Sequence, residues 1–191
     1  FDAYKFNLSY QTTKESRHTR KFKDDNLKNR YESVKVLSLN IDFDKKFSDS
    51  ELYYGLETIY NKVNSTANQE NIMSNNRTTI STRYPDLGTN YYSNSIYFSY
   101  KKNFKKLKSN FGLRGNTSIL NSDLSNSFYN FPFSEINVTS SSISGNIGIR
   151  YDINSSTIKL QYSNGFRTPN LDDVGKIFDS EPGNIITPNP N

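Results

Sequence analysis

Ser16 and His18 stand two residues apart in a charged stretch, and an imidazole beside a hydroxyl is the beginning of a nucleophilic site. It is no more than a beginning, because a working site also needs a group that orients the base and donors for an oxyanion. His18 is the one histidine of the chain. Imidazole can ligate haem iron, yet a lone loop histidine reads as a solvated side chain. Asp172, Asp173, Asp179 and Glu181 crowd the C-terminal end. Hard oxygen ligands suit Ca²⁺, but this spacing matches no EF-hand loop, so solvated acids are the expectation. Arg167 lies just before them, and its guanidinium could take an anionic ligand or pair with one of these carboxylates; structural pairing is the expectation. Phe131 and Phe133 flank Pro132 and offer rings either to a ligand or to their own loop. The absence of cysteine removes thiolate metal sites and disulfides. These residue types therefore suit binding. We expect no catalytic residue, no metal and no cofactor, and a protein that is not an enzyme.

The elements that would position these residues are strands. Tyr4, Phe6, Leu8 and Tyr10 alternate with Lys5, Asn7, Ser9 and Gln11. A two-residue period puts the two sets on opposite faces, so one face meets an apolar medium and the other meets water. The same alternation returns through Leu37, Leu39, Ile41 and Phe43, through Leu52, Tyr54, Leu56 and Tyr60, and through Tyr92, Ile96, Phe98 and Tyr100. It continues in Leu107, Phe111, Leu113 and Ile119, in Ile143, Ile147, Ile149 and Tyr151, and in Ile158, Leu160, Tyr162 and Phe166. Glu57 and Arg114 fall on the polar face. The connections alternate in length: Thr13 to Arg30, Asn64 to Asn90 and Leu120 to Thr139 read as long loops, whereas Lys45 to Glu51, Lys101 to Lys106 and Asp152 to Ser156 read as short turns. Long loops on one rim and short turns on the other are the asymmetry of outer-membrane barrels. A soluble sandwich has no reason to sort its loops in this way. The expected fold is all-β, an antiparallel transmembrane β-barrel.

Composition is compatible with that fold although it resembles a soluble protein's, with a mean hydropathy of -0.79 and a net charge of +5. Only alternate residues of a barrel strand touch lipid. The 14 Tyr and 13 Phe suit strands and interfacial girdles. No apolar run approaches the roughly 20 residues of a spanning helix, so insertion must be by strands. The basic runs Arg17 to Lys28 and Lys101 to Lys108 fall in connections, where charge is solvated, and no nucleic-acid partner is expected. Phe1 stands at the head of a strand and Asn191 within a loop, and about seven strands do not close a bacterial barrel of even strand number. The expectation is that 1–191 form part of a barrel domain, with further strands elsewhere.

Phe166-Arg167-Thr168-Pro169, followed by Asn170, Asp172 and Asp173 and then by Asn189-Pro190-Asn191, resembles the Phe-Arg-Ala-Pro and Asn-Pro-Asn-Leu boxes of TonB-dependent outer-membrane receptors. Tyr10-Gln11 with Glu15-Ser16-Arg17-His18, Leu52-Tyr53-Tyr54-Gly55-Leu56-Glu57 and Arg83-Tyr84-Pro85-Asp86 are similar to segments of Bacteroidetes-type receptors. The resemblance implies a barrel of about 22 strands with an N-terminal plug in its lumen. It implies location in the outer membrane of a Gram-negative bacterium and uptake of a ferric siderophore, haem or cobalamin, driven by the TonB complex through the plug. The partners would be outer-membrane lipid, TonB and an extracellular small ligand or ligand-carrying protein. The haem-receptor branch carries a histidine between the two boxes, and this chain has none there. A passive porin-like barrel is the alternative. Pro169, Pro182, Pro188 and Pro190 with Gly175 and Gly183 predict a shaped, non-helical excursion after the last strand.

Overall fold

The computed structural model describes residues 1–125, 128–181 and 184–186, with the main chain alone for 178–181 and 184–186. Its strands are β1 (Ala3–Thr19), β2 (Asn26–Lys46), β3 (Ser50–Asn71), β4 (Arg77–Thr79), β5 (Thr89–Phe104), β6 (Leu107–Asp123), β7 (Glu135–Ile153) and β8 (Ser156–Asn164). They are followed by a helical turn α1 (Leu171–Val174) and the pair β9 (Phe178–Glu181) and β10 (Asn184–Ile186). The long strands form one antiparallel sheet in the order β1-β2-β3-β5-β6-β7-β8, with β4 beside β3. Apart from the short β4, each long strand pairs with the next long strand in sequence, as in an up-and-down barrel wall, and β1 and β8 are the open edges.

The strands are longer than their apolar alternation suggests. β3 runs for 22 residues and β2 for 21, whereas a tilted strand crosses lipid in about 9 to 11. The stretches 13–30, 64–90 and 120–139, expected as loops, are therefore strand at both of their ends, and 13–30 is strand for most of its length. β1 and β2 stay in unbroken register from Ala3↔Asp44 to Thr19↔Lys28. Backbone hydrogen bonds between neighbouring strands do not depend on side-chain polarity, so apolar alternation marks only the part of a strand that faces lipid. What remains between the long strands at that rim is 20–25, 72–88 with the short β4 inside it, and 124–134, against 47–49, 105–106 and 154–155 at the other. The asymmetry of the two rims thus survives the correction.

Within the lipid-facing part, exposure is inverted relative to a soluble protein. Ile96, Ile143, Tyr162 and Tyr4 are exposed, while the serines between them, Ser93, Ser95 and Ser118, are buried. Polar groups lie inward and rings and branched aliphatics outward, an arrangement that only a hydrocarbon surround stabilises. Outward apolar residues pair across strands along continuous lines, for example Phe6↔Ile41, Ile41↔Leu56 and Leu56↔Ile96. Aromatic rings reinforce the outward face, with Phe43 and Tyr54 stacked at 5.2 Å and Tyr60 and Tyr92 in tilted contact at 4.8 Å.

Further along the same strands the alternation changes phase. Tyr10, Leu37, Tyr60, Tyr92 and Ile119 are successive register partners and, apart from Leu37, which Tyr31 and Leu27 follow on the same face of β2, the last outward apolar residues of their strands. On the next line, Val36, Asn61, Tyr91, Leu120 and Val138 pair in turn, and their side chains point to the opposite, lumenal face. Above the membrane the outside is water, so apolar residues turn inward. There they meet α1: Leu120, Leu124, Ile136, Val174 and Ile177 form the buried core, with Tyr91, Val138 and Leu171 packed against it. The hydrophobic core of this chain thus sits on the lumenal side of the strand extensions rather than within the membrane wall.

Candidate functional site

The segment after β8 is held by its own short-range bonds and by contacts with distant strands. A helical turn stands where a non-helical excursion was expected. Asn170 caps it, accepting from the Asp173 amide at 3.1 Å while Asp173 accepts from the Asn170 amide at 3.0 Å. This reciprocal capping box satisfies two amides that would otherwise lack partners, and it can start a turn despite Pro169 and Gly175 on either side. Arg167 then donates to both oxygens of Asp173 at 2.7 and 2.8 Å. The Asn170 amide, and after it the Arg167 guanidinium, hold the Asp173 carboxyl below its ordinary value. Of the carboxylates expected to offer Arg167 a partner, the structure places Asp173 there.

Longer contacts bring this segment to the wall. Asp172 accepts from the Tyr84 hydroxyl at 2.6 Å and lies 3.5 Å from the Arg83 guanidinium. Ile177 donates its amide to the Arg83 carbonyl at 2.8 Å. Thr168 accepts from Asn116 Nδ2 at 3.4 Å, and Asn116 in turn accepts from Ser93 and Ser95 on β5. Both carboxylates, Asp172 and Asp173, are thus engaged with protein donors, and no group of three metal-ligating side chains occurs among the described residues. A cavity of about 280 Å³ lies beneath α1, between Val34, Val63, Tyr84, Tyr91 and Leu171.

Phe131 and Phe133 stack at 5.7 Å with 14° between their planes. They pack against the same core as Leu171 and Val174, so two candidate segments far apart in sequence share one support. Phe166 remains about half exposed and Pro169 is partly covered. Asn189, Pro190 and Asn191 lie outside the described residues, as do Pro182, Gly183 and Pro188. His18 lies on β1 rather than in a loop, its Nδ1 2.7 Å from Asn29 Oδ1 and its ring edge-on to Tyr31 at 5.7 Å. Its ring nitrogen bonds to an amide and not to Ser16.

Below the phase change, the lumenal face carries a polar network that sequence reasoning did not single out as a unit. Tyr97 on β5 reaches across β3 to donate to Asp42 on β2, and accepts from Asn40 at 2.8 Å. That reach crosses Gly55, its register partner, where a Cβ would lie 2.7 Å from the Tyr97 hydroxyl. Arg114 on β6 reaches across β5 to Glu57 on β3 at 2.5 Å, donating also to Ser95 at 2.7 Å. The alternation places Glu57 and Arg114 on this face. The signal for Tyr97 was a glycine in mid-strand, which marks a close approach.

The description of a whole family fits this inside-out sheet. Residues 2–191 match the model of the outer membrane protein beta-barrel family. The chain belongs to that family. Its fold also matches the solved structure of a copper transporter, OprC, with a TM-score of 0.76 at 11% sequence identity, over 90% of this chain and 28% of that one. At that identity the likeness shows the fold alone. The chain spans about 28% of that transporter's length. No curated protein sequence matches it. As a member of the outer-membrane barrel family, the chain is part of an antiparallel wall in the outer membrane of a Gram-negative cell, with lipid against its apolar face.

Proposed function

We propose that this chain is wall and vestibule of a receptor-transporter that captures a scarce ligand at the cell surface and imports it with energy from TonB. The ligand class is a ferric siderophore, haem or cobalamin, and a plug and further strands outside these residues complete the barrel. The observation that carries this reading is the segment from Phe166 to Ile177, bearing the receptor-like box. It turns back over the lumenal side and is pinned there by Asn116, Arg83 and Tyr84. A passive pore gains nothing from an ordered segment across its mouth, whereas a receptor needs a preorganised surface to hold a dilute ligand. Phe131, Phe133 and Phe166 with Arg167, Thr168, Pro169, Asn170, Asp172 and Asp173 form that surface, and Asn189, Pro190 and Asn191 of the second box are taken as ligand-binding on the resemblance alone. A neighbour named as a copper transporter fits a metal-bearing cargo.

The test is deletion of Leu171 to Thr187 from the full-length protein, followed by uptake assays with haemin, a ferric siderophore and cobalamin offered separately. Uptake of one of these should fall while heat-modifiable migration, the mark of an assembled barrel, is retained. Unchanged uptake of all three would remove the segment from the mechanism.

A further inference from the structure

The short-turn rim carries a feature that transport does not use. Lys101, Lys102, Lys105, Lys106 and Lys108 fall within eight residues of chain that contain no acid. Lys101 and Lys102 make long pairs with Glu51 at 3.6 Å and Asp49 at 3.7 Å, whereas Lys105 and Lys106 are exposed and make no ion pair among the described residues. Two successive turns repeat one device. Lys102 Nζ lies 4.8 Å from the centroid of Phe104, and Lys45 Nζ lies 6.0 Å from that of Phe47. Both rings are about half exposed. A phenyl ring at this level sits at the headgroup side of the acyl region, and the ammonium beside it sits at headgroup height.

The turns that present these groups are tied together by their backbones. Asn103 donates its amide to the Asp49 carbonyl at 2.8 Å, and Asp152 donates to the Lys106 carbonyl at 2.9 Å. Lys105 adopts φ 48 in the tight β5–β6 turn, and so projects its side chain from a fixed backbone. The charge is therefore held on a continuous rim rather than on mobile loops. Short turns mark the periplasmic side of an outer-membrane barrel, which places this rim against the inner leaflet.

We propose that the rim formed by the β2–β3 and β5–β6 turns is a binding surface for anionic phospholipid headgroups of the inner leaflet, with Phe47 and Phe104 as acyl-level anchors and Lys102, Lys105 and Lys106 as phosphate partners. Lysine fits the task because its compact charge meets a phosphate from many directions. The inference rests on the barrel wall and its outer-membrane location and is independent of which ligand the protein carries.

The experiment uses the full-length protein in nanodiscs and reads, by native mass spectrometry, which lipid the protein retains on release. Phosphatidylglycerol should be retained over phosphatidylcholine by at least about tenfold, given that each lysine near an anionic surface contributes on the order of a fivefold gain. A Lys102→Gln, Lys105→Gln, Lys106→Gln variant should lose the preference, whereas Lys21→Gln, Lys23→Gln, Lys28→Gln on the opposite rim should keep it. Equal retention of the two lipids by the unmodified protein, or an undiminished preference in the first variant, overturns the proposal. Displacement of phosphatidylglycerol by an equal concentration of inorganic phosphate would mean a phosphate site and overturns it also. Should the variant fail to assemble, the unmodified protein in high salt gives the answer, since about 1 M salt cuts the screening length to about 3 Å. Loss of the preference there supports the proposal, and its persistence refutes it.

Discussion

Tyr84 and Asp172 meet across 88 positions of sequence, and their bond ties the box-bearing segment to the loop before β5. Burial, and after it the bond to Asp172, raises the Tyr84 phenol from 10.0 to about 12. The folded state favours the protonated donor, so this contribution is complete below pH about 10 and is lost as pH rises through about 12. A difference ultraviolet titration between the unmodified protein and Tyr84→Phe should show one tyrosine ionising near 12. A difference band centred near 10 would mean that the Asp172 bond does not hold in solution. Asp173 works in the opposite sense. Its carboxyl is held below 3.8, so its support for the turn is complete above about pH 4 and disappears as pH falls through its lowered value. Asp173→Ala removes the cap and the Arg167 partner together, and limited proteolysis within 165–177 should become faster. Proteolysis at the unmodified rate would show that the contacts of Val174 and Ile177 hold the segment unaided.

At the scale of the element, the strands owe their face-to-face difference to alternation and their fit to a few small residues. Gly55 on β3 is the clearest case: a Cβ would stand 2.5 Å from the Ile41 carbonyl of the neighbouring strand as well as against Tyr97. Gly55→Ala should therefore destabilise the assembled wall by about 1–3 kcal/mol, the usual penalty of overpacking. Gly165→Ala meets nothing within 4 Å and should be silent. Urea midpoints for the refolded full-length protein would check both, and equal midpoints would mean that Tyr97 does not cross β3 in the membrane. The helical turn α1 belongs to this scale too. Proline and glycine argued against a helix there, but a turn of four residues needs only the local pairing of Asn170 with Asp173 to begin.

For the whole molecule, the change of phase along the strands divides the sheet into a part inside lipid and a part inside a water-exposed vestibule. A charge introduced on the outward face should report which part it enters. Ile96→Lys should cost about 2–4 kcal/mol of assembly free energy, as expected near mid-bilayer. Ser33→Lys, on the outward face above the phase change, should stay within about 0.5 kcal/mol. Similar penalties at the two positions in liposome refolding would place the membrane boundary elsewhere. The same division explains why the buried apolar core, from Leu120 to Ile177, lies away from the hydrocarbon belt. Inside lipid the wall buries its apolar face against acyl chains, and only above it must protein cover protein.

Alternation by itself determined the long strands, their two faces and the wet positions of Glu57 and Arg114, because a period of two is a direct consequence of backbone geometry, and the lengths of the connections sorted loops from turns. The receptor-like box was also legible, since it is a contiguous run. The true strand lengths were not legible: beyond the membrane the side chains no longer need to alternate in polarity, while the backbone ladder continues regardless. Nor could the sequence show that Thr168 lies over Asn116, that Asp172 finds Tyr84, or that Phe131 and Leu171 share a support. Those contacts join residues dozens of positions apart, and the register of strands that bring them together fixes them. Local periodicity made the wall readable, and only the closing of distant segments over its lumenal side decided the shape of the mouth.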